Sequence, residues 1–129
     1  EAQVVLPLLQ SDLFTILEAC VMGKLDTADI NWRDEACACV VLASEGYPDN
    51  PILGRKINGL GEFNHQNRSD VWLVHAGTRK ENGDFITSGG RVLGICALGQ
   101  TTTDAAHKAY SFINNPICFQ GMQYGEHIV

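Results

Sequence analysis

The first apolar pattern along the chain has helical spacing. Leu13, Ile16, Leu17, Cys20 and Val21 recur at intervals of three and four, which puts them on one stripe of an α-helix. Ser11 is suited to cap it, Asp12 falls in the first turn, where a negative charge meets the positive end of the helix dipole, and Gly23 ends it. The predicted helix spans 11–23 and needs a neighbour for its apolar stripe, with Phe14 and Met22 counted in the core. From Trp32 the pattern changes. Residues 36–43 form a short apolar run with the valine content of a buried strand. Residues 45–51, Glu-Gly-Tyr-Pro-Asp-Asn-Pro, are dense in turn formers. A short strand is expected within 52–60, and the polar stretch 61–70 reads as a mobile surface excursion.

Further on, Val71 to Val74 predicts a strand that ends in His75-Ala76-Gly77-Thr78. Asn82-Gly83 is a hairpin signal, because both residues accept the positive φ that a tight two-residue turn demands. Residues 85–87 return as a strand, Gly89-Gly90 turn again, and 91–98 form the longest strand. A helix follows, capped by one of Thr101, Thr102 or Thr103, with Asp104 in its first turn and Ala105, Ala109, Phe112 and Ile113 on its packed face. Asn115-Pro116 stops it, and 117–119 make a last short strand. The fold class is α+β: a small, mostly antiparallel, barrel- or sandwich-like β domain with one packed helix over 31–129, preceded by a helical tail, 1–30, of a neighbouring domain.

With 129 residues and 45% hydrophobic content, the chain is long enough to bury one core. The net charge is −6. Basic residues are scattered, with Arg55-Lys56 and Arg79-Lys80 the adjacent pairs, so the stripe that a nucleic-acid groove requires is missing. No apolar run reaches the roughly 18 residues of a membrane-spanning helix. The opening Glu1-Ala2-Gln3 carries no signal-peptide pattern and reads as a cut from a longer, cytoplasmic chain. The odd count of five cysteines in apolar contexts suits reduced thiols. Cys37-x-Cys39 would face one side of a strand, but no second pair stands at zinc-finger spacing, so buried thiols are expected over metal ligands.

The stretch Thr87-Ser88-Gly89-Gly90-Arg91-Val92-Leu93-Gly94 carries the clearest chemistry. Paired glycines let a ligand approach the backbone, and an arginine at the mouth of a buried strand can hold a phosphate with two hydrogen bonds. A hairpin turn with a surface arginine fits the same eight residues. His75, at a strand end beside a turn and a hydroxyl, reads as either a structural or a functional histidine. His65 and His107 fall in a polar loop and on a polar helix face. Walker, paired-histidine and dinucleotide motifs do not occur. Together these residues support a site for an anionic metabolite without defining a reaction.

Six ordered blocks, spread over the whole chain, resemble the C-terminal part of the phosphoribosylamine–glycine ligases, ATP-grasp enzymes of purine synthesis. Glu1-Ala2-Gln3 is similar to the end of the family's Arg-Phe-Gly-Asp-Pro-Glu-x-Gln, and residues 6–13 to the segment after it. Residues 40–48, Val-Val-Leu-Ala-Ser-Glu-Gly-Tyr-Pro, match Val-Val-Leu-Ala-Ser-x-Gly-Tyr-Pro. His75-Ala76-Gly77-Thr78, residues 87–99 and residues 119–124 resemble the remaining blocks. The resemblance implies that Gly89, Gly90 and Arg91 approach phosphoribosylamine, with Arg91 on its phosphate. It places Glu1 and Gln3 toward the glycine region. Gly46, Tyr47, Pro48, His75, Gly77 and Thr78 would shape the pocket rim. ATP and Mg²⁺ are implied as cofactors held mainly by upstream segments, with no catalytic residue and no metal ligand within this stretch. Two departures stand out: Asp49 after Tyr-Pro, where a glycine is usual, and Gly125-Glu126-His127-Ile128-Val129 in place of Arg-Lys-Asp-Ile-Gly. They leave open a non-catalytic phosphoribosyl-binding or assembly module of the same fold.

Overall fold

The computed structural model describes residues 1–125; the divergent residues 126–129, His127 among them, lie outside that range. Its centre is strand β5 (Arg91–Gly99), flanked by β1 (Ala36–Ala43) and β2 (Val71–His75), both antiparallel to it. The run from Val92 to Gly99 is buried throughout, as expected of a central strand covered on both faces. Val40 pairs with Ile95 and Leu42 with Leu93, and these four side chains join Val71, Ala109 and Phe112 in one core. Helix α4 (Thr102–Tyr110) lies over that face, with Ala105, Ala106 and Ala109 buried. Its cap is Thr101, whose hydroxyl accepts from Asp104 N at 3.1 Å. Strands β3 (Thr78–Glu81) and β4 (Asp84–Thr87) form the hairpin that Asn82-Gly83 signals, with φ of 50° and 91° at the turn.

Several expectations are corrected. Asp12, not Ser11, caps helix α2 (Leu13–Val21): its carboxylate accepts from Thr15 N at 2.8 Å. Ser11 instead donates to Asp29 O and accepts from Asn31 N, closing the loop that follows the helix. Residues 61–70 are not a polar excursion throughout. Leu60–His65 is a helix, α3, which buries Phe63 edge-on against Phe112 with ring centroids 5.0 Å apart. Phe63, with Leu60 one turn before it, folds this short stretch onto the core, and the polar neighbours of Phe63 conceal it in the sequence. Residues 52–60 hold isolated bridges at Lys56 and Asn58 instead of a strand, and 117–119 hold bridges at Ile117 and Cys118. Phe14 and Met22 are not core in this chain: they are 72% and 65% exposed, and no residue of α2 is buried.

The opposite face of the sheet carries Cys37, Cys39 and Val41 from β1 with Gly94 and Cys96 from β5. The short helix α1 (Ala2–Val5) packs against β1. No helix among the described residues is long and apolar enough to cross a membrane.

Candidate anion-binding site

The Gly89-Gly90 turn is clamped from both sides. Ser44, at the end of β1 and almost fully buried, donates its hydroxyl to Gly89 O at 2.9 Å and its backbone N–H to Gly90 O at 2.8 Å. From the other side Gly77 N donates to Arg91 O at 2.8 Å, and Ser88 N to Gly77 O at 2.7 Å. The approach is so close that a β-carbon on Gly77 would lie 2.7 Å from Gly89 Cα, which accounts for glycine at both positions. Thr87, also buried, fixes the strand leading in: its hydroxyl accepts from Arg55 N at 3.0 Å. At Leu42/Ala43 the register shifts, so that Ala43 faces Arg91. Such an irregularity re-aims the strand end beside the turn.

Arg91 leaves this clamped turn with its side chain exposed and, among the described residues, no carboxylate within ion-pair distance. Beside it opens a cavity of about 580 Å³, lined by Gln3, Tyr47, Gly77, Gly90, Arg91 and Gly94 among others. A second, shallow cavity of about 350 Å³ shares Val41, Tyr47 and Arg91 with the first and is also lined by Gln123 and Tyr124. Tyr47 and Arg91 therefore stand between two compartments. A guanidinium with free donors beside glycine backbone suits an oxyanion such as a phosphate, with charge-assisted hydrogen bonds of about 1.5–3 kcal/mol.

Of the residues singled out in the sequence, Gln3, Tyr47, Gly77, Gly90 and Arg91 share the larger cavity. Gly89 lies behind it, against Gly77. Gly46, with φ of 79°, starts the turn that carries Tyr47, and its carbonyl accepts from Asn50 N at 2.9 Å. His75 is not in that cavity. Its Nδ1 lies 2.8 Å from Thr78 Oγ1, its ring packs against Phe85, and it lines a separate pocket with Phe63, Trp72 and Phe112. Glu1, Pro48 and Thr78 also stand outside the residues lining the larger cavity. Val41, Gly94, Gln123 and Tyr124 were not singled out as site residues. Gly94 had a signal, since a glycine inside a strand marks close approach: a β-carbon there would meet Cys39 Sγ at 2.8 Å and Gln3 Oε1 at 3.5 Å.

The fold and the cavity define an α+β domain with the chemistry to hold an anion at the head of its central strand. Comparison with known proteins makes this specific. Residues 37–128 match the family model described as phosphoribosylglycinamide synthetase, C domain, and the chain belongs to that family. It is 44% identical over 129 residues to a bifunctional purine biosynthetic protein of Dictyostelium discoideum, covering 99% of this chain and 16% of the relative. It is 41% identical over 128 residues to a phosphoribosylamine–glycine ligase of Caldanaerobacter subterraneus, covering 99% of this chain and 29% of that protein. The crystal structure of a phosphoribosylamine–glycine ligase from Thermotoga maritima superposes with a TM-score of 0.66 at 27% identity, over 94% of this chain and 28% of that one. The chain thus spans less than a third of the length of these relatives.

Proposed function

We propose that this chain is the C-terminal part of a cytoplasmic, ATP-dependent ligase that joins glycine to 5-phosphoribosylamine, and that its larger cavity takes the phosphoribosyl end of that substrate. The observation that carries the reading is Arg91: a guanidinium with no carboxylate partner among the described residues, fixed on a clamped glycine turn at a cavity mouth. The names of the relatives supply the substrate class. In this reading Arg91 grips the phosphate, Gly90 borders the approach with Gly89 packed behind it, and the Tyr47 ring forms a wall along the ribose. Gln3 reaches toward the glycine side with Glu1, while Gly46, Pro48 and Gly77 support the rim, and His75 and Thr78 pair with each other outside it.

The chemistry is the attack of the phosphoribosylamine nitrogen on an activated glycyl carbonyl, supplied as glycyl phosphate at the expense of ATP. What this chain contributes is position, by holding the amine-bearing sugar so that its nitrogen faces the acyl group. Its cavity does not suit Mg²⁺. The donors are a guanidinium, an amide and backbone groups, and no cluster of three or more His, Cys, Asp or Glu among the described residues could hold a metal. ATP and its metal belong, in this reading, to segments outside this chain. The exposed apolar side chains of α2 (Phe14 at 72%, Val21 at 87%) support residues 1–30 as the helical tail of the preceding ATP-grasp domain.

Titration with ribose 5-phosphate, followed by nuclear magnetic resonance, tests the phosphate assignment. The Gly89 and Gly90 amides and the Arg91 Nε–H should shift together and saturate, and Arg91→Ala should abolish the shifts. Shifts confined to another surface, or unchanged in Arg91→Ala, would remove Arg91 from the site.

A further inference from the structure

Near the larger cavity lie two thiols, one half-buried and one fully buried, that the anion chemistry does not use. Cys39 on β1 and Cys96 on β5 are directly opposed, and both side chains point to the face covered by α1. The type of pair follows from the hydrogen bonding of β5. Ala76 N donates to Val92 O and Leu98 N to Asp70 O, both on the β2 side. Backbone direction alternates along a strand, so Cys96 also turns its N–H and C=O toward β2. Opposite β1 it therefore sits in a non-hydrogen-bonded pair, the closer kind, with Cα atoms about 4.5 Å apart. That separation lies within the range a disulfide spans. Cys37, two residues away on the same face, is opposed by Leu98 and has no such partner.

The same sulfur touches the proposed site. Cys39 Sγ donates to Gln3 Oε1 at 3.3 Å, and Gln3 lines the larger cavity. Cys39 is half-buried and Cys96 fully buried, so an oxidant would meet Cys39 first. The opposed Cys96 thiol holds Cys39 below the ordinary thiol range, while the neighbouring Cys39 and burial push Cys96 up. Accessibility makes Cys39 the attacking thiol, and its place directly opposite makes Cys96 the resolving one.

We propose that Cys39 and Cys96 are a reversible dithiol which, on reaction with a peroxide, closes to a cross-strand disulfide and releases Gln3 from its thiol partner. The Cys39 thiolate attacks one peroxide oxygen, the O–O bond breaks, and the leaving hydroxide takes up a proton to become water. The resulting sulfenic acid is attacked by Cys96 sulfur. The S–O bond breaks, a second water leaves with the Cys96 proton, and two electrons have passed from the two thiols to the peroxide. Cys39 then has no S–H to offer Gln3. The effect on ligand binding rests on the phosphoribosyl reading above; the disulfide does not.

The test treats the chain with hydrogen peroxide and maps the tryptic peptides. The peptide carrying Cys37 and Cys39 should become linked to the one carrying Cys96, reversibly with dithiothreitol. The link should survive in Cys37→Ser and vanish in Cys39→Ser, each variant first shown to be folded by its amide spectrum. In Cys37→Ser the side-chain amide resonances of Gln3 should shift on oxidation, and affinity for ribose 5-phosphate should fall at least fivefold. A link lost in Cys37→Ser, a link retained in Cys39→Ser, or an unmoved Gln3 amide would overturn the proposal. So would equal ribose 5-phosphate affinity in both redox states. Failure of the reduced chain to bind ribose 5-phosphate would count against the substrate reading, and the peptide map and the Gln3 amide would still decide the dithiol.

Discussion

A β-carbon on Gly90 would run into the Cδ2–Cε2 edge of the Tyr47 ring, 2.8 Å from Cε2. The edge of the tyrosine ring abuts a backbone that only glycine leaves open, and the two residues together line the cavity beside Arg91. Tyr47 is 42% exposed, so its ring can swing outward if pushed. Gly90→Ala is therefore expected to lower stability by less than about 1 kcal/mol in urea denaturation, since the overpacking is relieved at the surface. Ribose 5-phosphate binding should nonetheless weaken several-fold, because the wall formed by the ring moves.

Gly77→Ala meets something that cannot swing away. Its β-carbon would press on Arg91 O and on Gly89 N, 2.8 Å away, both backbone atoms of the clamped turn. A stability loss of about 1–3 kcal/mol is expected, measured by the same denaturation. A loss no larger than that of Gly90→Ala would show that the turn is looser than its hydrogen bonds indicate.

Asp70 ties the segment before β2 to α4. It accepts from Arg68 at 2.9 Å through both carboxylate oxygens and from Lys108 of α4 at 2.8 Å. Hydrogen bonds from Arg68 and then Lys108 hold its carboxyl well below the usual carboxylate range. A depressed folded-state pKa contributes stability above the unfolded value of about 3.9 and loses it as pH falls through the folded one. The carboxylate is partly exposed, so screening limits the effect of Asp70→Asn to about 1 kcal/mol at pH 7. The gap between wild type and variant should close progressively below about pH 4, as urea midpoints taken at a series of pH values would show.

Phe14→Ser and Met22→Ser on the open face of α2 should leave the stability of this chain within about 0.5 kcal/mol, because neither side chain is buried here. In a family-length chain the same changes should cost about 2 kcal/mol or more if α2 docks on the preceding domain. Equal midpoints in the longer chain would refute that docking.

Strand and hairpin residues were legible because their signals are local. The run from Val92 to Leu98 reads as buried, Asn82-Gly83 reads as a turn, and both are found so. Helix α3 was not legible, since only Leu60 and Phe63 are apolar in it and the burial of Phe63 depends on Phe112, distant in sequence. The stripe of α2 was read correctly as apolar but assigned to a core that this chain does not supply. At the site, Arg91 and its glycines announced themselves, whereas Ser44 did not. A serine at a strand end carries no sign that it will clamp a turn 45 residues away. His75 illustrates the converse: a strand end beside a glycine and a hydroxyl looks chemical, yet its ring faces Phe85 and a different pocket.

The most direct test of the central claim is steady-state kinetics of Arg91→Ala in a chain of family length, measured as glycine- and phosphoribosylamine-dependent ATP hydrolysis. Loss of a charge-assisted phosphate contact of about 1.5–3 kcal/mol should raise KM for phosphoribosylamine at least tenfold. KM for glycine and for ATP should stay within about twofold of wild type. An unchanged KM for phosphoribosylamine, or an effect that falls on ATP instead, would contradict the assignment of Arg91 to the substrate phosphate.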